Sequence, residues 1–141
     1  MAYSVEKKVE ADLWTSFKEE ITELQKACAK SAKDRTAPSS KSVLDWLLET
    51  AQGFYSVLLL EIKVSDESEE SGGLLDYINQ HVLVHLGDLA RYKSSAAGNS
   101  DQAEWFYRKA IVQCPAYGHA YNQVSLLESA KGKVNKYFVH I

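Results

Sequence analysis

At 141 residues the chain can bury one real core but not two independent ones. Its 16 Lys and Arg against 19 Asp and Glu leave it slightly acidic, which excludes a general attraction to nucleic acid; no run approaches the ~18 apolar residues of a membrane span. Its two cysteines, Cys28 and Cys114, sit far apart at helix-core spacings, as reduced core thiols of a cytosolic or nuclear protein rather than a disulfide or metal pair.

Apolar periodicity predicts six helices and no strand, hence an all-α fold in a single domain over 1–141. The first helix runs from about Val5 to Lys33, with Val5, Val9, Leu13, Phe17, Ile21, Leu24 and Cys28 on one stripe. Ala37-Pro38-Ser39-Ser40 interrupts it, because proline cannot continue a helix and pushes the residue before it toward extended geometry. Ser42 with Asp45 resembles a capping box that opens a second helix, Val43 to about Ile62. Its apolar residues include Trp46, Leu48, Phe54, Tyr55 and Leu59, more than a single stripe, which predicts a helix sandwiched between neighbours.

Residues 63–73 form a serine-rich acidic run ended by two glycines, expected as a mobile loop because it cannot bury apolar surface. The third helix, Leu74 to about Lys93, carries Leu75, Ile78, Val82, Leu86 and Leu89 as its stripe. The fourth opens on Asp101 with Glu104 and ends before Pro115; the fifth spans about Gly118 to Lys131, and a sixth begins near Val134. The chain opens inside one helical pattern and stops inside another without a cap, as expected of a fragment or short isoform of a longer helical protein.

Between Leu86 and Gly132 the spacing matches a tetratricopeptide unit. Small Ala103, aromatic Tyr107, small Ala110 and then Pro115 reproduce its second helix. Tyr121, Val124 and Ser125 restart the pattern, and Leu86 with Gly87 fits the helix upstream. Such repeats build concave surfaces that hold peptides.

Polar residues on this packed framework are the candidates for function. Lys18 lies four residues after Trp14 and three before Ile21, Arg91 and Tyr92 are adjacent on the third helix, and Asn122 follows Tyr121 on the fifth. If these four converge they make a phosphate site: a planar guanidinium fork, an ammonium point charge, and two orienting donors. The competing reading is four unrelated solvated side chains, with Asp88 orienting Arg91 as an intrahelical ion pair. His81 and His85 share a helix side, but the residues between them include no glutamate and a third ligand is not evident beyond His119 or Cys114. They read as packed or surface histidines, and neither a metal nor a cofactor is expected. The chain has no glycine-rich phosphate loop, no Ser-His-Asp order and no paired catalytic carboxylates, so it does not read as an enzyme. Lysines on the first helix alternate with glutamates, which makes a solvated face rather than an RNA track.

The blocks V-E-K-K-V-E-A-D-L-W, A-Q-G-F-Y-S-V-L-L, H-V-L-V-H-L-G-D-L-A-R-Y, A-E-W-F-Y-R-K-A and Y-N-Q-V-S-L-L-E-S-A-K-G resemble, in order, the 14-3-3-like domain of the SMG/Est1 adaptors of nonsense-mediated mRNA decay. The branch most resembled pairs with a sister adaptor. The resemblance implies an all-helical, tetratricopeptide-related array whose groove binds phosphoserine segments of the RNA helicase of mRNA surveillance. It places the chain in the cytoplasm, with shuttling to the nucleus. It implies phosphate held by Lys18 and by Arg91 with Tyr92 beside it, and a bound peptide backbone steadied by Asn122. Gln25 stands where 14-3-3 proteins place a further basic residue, leaving two cations rather than three. Two other readings stay open: a scaffold binding unphosphorylated peptides or a sister adaptor, and a telomerase-associated nucleic-acid binder.

Overall fold

The computed structural model describes residues 2–34, 39–66, 72–94 and 100–139. They form five helices: α1 (Ala2–Asp34), α2 (Ser39–Asp66), α3 (Gly72–Ser94), α4 (Asp101–Gln113) and α5 (Gly118–Val139). No strand occurs among the described residues, so the all-α expectation holds. The chain divides into two compact units, Met1–Glu70 and Ser71–Ile141.

In the first unit α1 packs on α2. Among the described residues, Ile21, Leu48, Ala51, Tyr55 and Ile62 are its buried apolar side chains. Tyr55 is the hub: its ring lies 5.9 Å from those of Trp14 and Phe17 and 5.1 Å from that of Phe54, in edge-on arrangements that favour aromatic pairs. The expected stripe on α1 is corrected at its N-terminal end. Val9 is 62% exposed, while Glu10 is buried and Trp14 half-buried. A strict i+4 series advances ~400° per step and drifts around the helix by ~40° each time, so it leaves the packed side within a few turns. The packed positions instead alternate spacings of three and four: Glu10, Trp14, Phe17, Ile21, Leu24 and Cys28.

α2 begins at Ser39, so Ser42 lies inside the helix and does not cap it. The helix continues to Asp66, past the expected boundary at Ile62, so residues 63–66 are helical where a loop was expected. Residues 67–71 lie outside the described ones. Among the described residues of the first unit, α2 packs on α1 alone. Val43, Trp46, Phe54, Val57 and Leu60 line an exposed side.

In the second unit α4 packs on both α3 and α5. Every residue of α3 from Val82 to Ala90 is buried, including Gly87 and Asp88. Ala103, Tyr107 and Ala110 form the inward side of α4, as the repeat spacing predicts. Gly87 explains how closely the helices meet. A Cβ built there would stand 2.6 Å from Tyr107 Cδ1 and still nearer Cε1, so only a glycine leaves room for the ring.

Between α4 and α5, Pro115 forbids helix continuation, and the Cys114 amide closes α4 on the Ala110 carbonyl at 3.0 Å. On α5 the repeat frame holds at Val124 but not at Tyr121 and Ser125, which are exposed; the buried positions are Ala120, Gln123, Val124 and Leu127. The separate sixth helix is likewise corrected: α5 runs through Gly132 to Val139. A single interior glycine costs a helix only ~1 kcal/mol, and a proline that would end it is absent. Cys28 and Cys114 are free and half-buried rather than fully in a core.

Candidate functional site

α3 places Arg91 and Tyr92 where the helix emerges from its buried stretch. The preceding residues through Ala90 are covered, whereas the Arg91 side chain is 34% exposed. One turn earlier, Asp88 is 5% exposed and lies within the packed face. A carboxylate so placed is costly unless its oxygens accept hydrogen bonds and a cation balances its charge.

Both conditions are met, from all three helices of the unit. The Tyr107 hydroxyl on α4 donates to Asp88 Oδ1 at 2.5 Å, and Gln123 Nε2 on α5 donates to the same oxygen at 3.2 Å. Arg91 Nη2 stands 3.7 Å from that oxygen, an ion-pair distance rather than a hydrogen bond. The guanidinium carbon also lies 5.3 Å from the centroid of the Tyr92 ring, a cation–π arrangement.

The two tyrosines are held neutral. Burial first, and then the Asp88 charge, raises the Tyr107 hydroxyl far above the usual phenol range. Tyr92 is raised by burial and by Asp88, with Arg91 acting in the opposite direction. Both therefore keep a proton to donate at neutral pH. The result is a partly exposed guanidinium, backed by a buried carboxylate and flanked by a protonated phenol. That arrangement can present a planar pair of donors to an anion such as a phosphate.

Of the four residues picked from the sequence, Arg91 and Tyr92 are thus in contact on α3. Asn122 is exposed on α5, next to the Gln123 that reaches Asp88. Lys18 is exposed on α1 in the first unit, in a shallow groove lined by Thr15, Lys18, Glu19, Thr22 and Glu23. The two carboxylates beside it reduce the positive field it presents.

Gln123 was not singled out by sequence reasoning. Its only signal is a polar residue within the Ala120–Val124–Leu127 face, the kind of buried amide that calls for a partner. On α3, His81 is half-buried and His85 buried. The His81 ring lies 4.2 Å from that of Tyr77 and 5.2 Å from that of Tyr117, and His85 is 5% exposed. Among the described residues no helix is long and apolar enough to cross a membrane.

No family model matches the chain, and no solved structure matches it. Curated proteins do. Over 94% of its length the chain is 36% identical to the nonsense-mediated mRNA decay factor SMG7 of Danio rerio. It is 26% identical to the telomerase-binding protein EST1A of the same organism over 89% of its length. It is also 45% identical to the nonsense-mediated mRNA decay factor SMG5, again from Danio rerio, over 35% of its length. The chain spans only 13%, 9% and 5% of these three relatives respectively.

Proposed function

Because the chain belongs to the SMG/Est1 family, we propose that it is a non-enzymatic adaptor module of nonsense-mediated mRNA decay that binds phosphoserine peptides. The observation that carries the reading is the Arg91–Tyr92 pair: a partly exposed guanidinium whose carbon lies 5.3 Å from the Tyr92 ring centroid, backed by buried Asp88. The family resemblance assigns phosphate binding to this pair. In the proposal Arg91 takes two phosphate oxygens, Tyr92 donates one further bond, and Asn122 bonds the peptide backbone. A phosphoserine carries nearly two charges at neutral pH, so its differential affinity over serine rests on these cationic and polar donors. Lys18 is assigned a phosphate-binding role by resemblance, so Lys18→Glu should lower affinity for the phosphorylated peptide more than for its unmodified twin.

The natural ligand in this reading is a phosphorylated segment of the surveillance RNA helicase, met in the cytoplasm. Two other readings have support in the relatives: the telomerase-associated one, since one relative is named for binding telomerase, and the scaffold one, since another is a second decay factor. Parallel calorimetric titrations separate the possibilities. A helicase phosphoserine peptide, the same peptide unmodified, and a single-stranded oligonucleotide are the three ligands. At least tenfold preference for the phosphorylated peptide supports the proposal. Equal affinity for both peptides favours a phosphate-independent scaffold, and tight oligonucleotide binding favours the nucleic-acid reading.

A further inference from the structure

The buried end of the Arg91 ion pair is shared among three helices. Asp88 Oδ1 accepts the Tyr107 hydroxyl at 2.5 Å and the Gln123 amide at 3.2 Å, while Arg91 Nη2 lies at 3.7 Å from the same atom. Two donors on one oxygen satisfy part of the acceptor capacity that a buried carboxylate would otherwise direct at its nearest cation. We infer that Tyr107 and Gln123 are positioning residues: by occupying Asp88 Oδ1 from α4 and α5, they hold Arg91 at the surface instead of letting it close on Asp88. The functional half of this inference rests on the reading of Arg91 as the phosphate-binding residue.

The chemistry gives the direction. Removing either donor leaves the carboxylate short of a partner in a poorly solvated place, and the guanidinium is the adjacent donor able to replace it. Arg91 then shifts toward Asp88, and its planar fork is turned from an incoming phosphate. Neither Tyr107 nor Gln123 needs to touch the ligand. Tyr107 is fully buried and Gln123 is 9% exposed. Their effect reaches the surface through one carboxylate.

The test uses the whole 141-residue chain with Tyr107→Phe and Gln123→Leu. The phenylalanine keeps the ring that fills the space beside Gly87, so packing is largely preserved; the leucine variant provides an independent reading should the other fail to fold. Two readouts are taken: the Nε–Hε resonance of Arg91 by nitrogen NMR without ligand, and the Kd for a phosphoserine peptide and its unmodified twin. We expect the Arg91 resonance to move in both variants and phosphopeptide affinity to fall by about tenfold, the scale of one charge-assisted hydrogen bond, with binding of the unmodified twin unchanged. A merely structural role would weaken both peptides alike and leave the Arg91 resonance in place. An unmoved resonance in a folded variant overturns the inference. If the parent chain itself does not prefer the phosphorylated peptide, the phosphate reading fails, while the resonance still decides whether Tyr107 and Gln123 position Arg91.

Discussion

Gly87 shows how a single missing methyl group sets an interhelical distance. Alanine is a better helix former than glycine by ~1 kcal/mol, so on propensity alone Gly87→Ala would stabilise α3. The added Cβ, however, would stand 2.6 Å from Tyr107 Cδ1, on a ring whose hydroxyl is fixed on Asp88. Overpacking of this kind costs about 1–3 kcal/mol, and it also displaces the Tyr107 hydroxyl from Asp88. Urea unfolding should therefore show Gly87→Ala to be less stable than the parent by about 1–2 kcal/mol; a stability gain would mean that the helices do not meet as described. At the same scale, Asp88 and Arg91 could be paired from the sequence because they lie three apart on one helix. The Gln123 partner, 35 residues away, could not, because nothing local to it specifies α5 against α3.

Elements divide into those whose pattern determined them and those that tertiary context shifted. α4 was readable almost to the residue, since an acidic start, a three-position packed face and a proline stop all agree. α1 was found but turned: equally spaced Val9 and Leu13 suggest a stripe, yet the packed side follows the true helical period and takes in Glu10 and Trp14 instead. α5 runs unbroken where the pattern suggests a gap between Lys131 and Val134, because a single interior glycine, Gly132, costs too little to end a helix. On α2 the long apolar set suggested cover on both sides, but Trp46 is 64% exposed. Trp46→Ser should accordingly change the unfolding free energy of this chain by no more than about 0.5 kcal/mol, as for ordinary surface positions. A loss of several kcal/mol in chemical denaturation would show that this side is packed after all.

For the molecule as a whole, periodicity and blocks of residues are enough to give the helical class and the family, and Arg91 with Tyr92 in the candidate site, while the Gln123–Asp88 contact depends on side-chain geometry that no spacing encodes. The buried phenols add a property of the whole chain. Burial, followed by the charges of Glu10 and Asp88 respectively, raises Tyr55 and Tyr107 well above the ordinary value of 10.0. The folded state therefore holds these protons more tightly than the unfolded state. Their contribution is complete below the unfolded value of 10.0 and is lost as pH rises through the folded-state values above it. Urea midpoints should thus show no loss from these groups up to about pH 10 and a decline beyond it, with a shallower decline in Tyr107→Phe. Identical alkaline slopes in the two proteins would contradict the assignment of Tyr107.

In the proposed function, Arg91 would give this module a preference for a phosphorylated serine over an unmodified one. Calorimetric titration of the parent chain and Arg91→Glu with the same phosphoserine peptide tests it directly, with circular dichroism confirming that both are folded. Losing one charge-assisted contact accounts for about 1.5–3 kcal/mol, and the new glutamate repels the phosphate besides. Arg91→Glu is expected to retain its helices and no longer to distinguish the phosphorylated peptide from its unmodified twin. A folded Arg91→Glu that binds the phosphopeptide as tightly as the parent would contradict it.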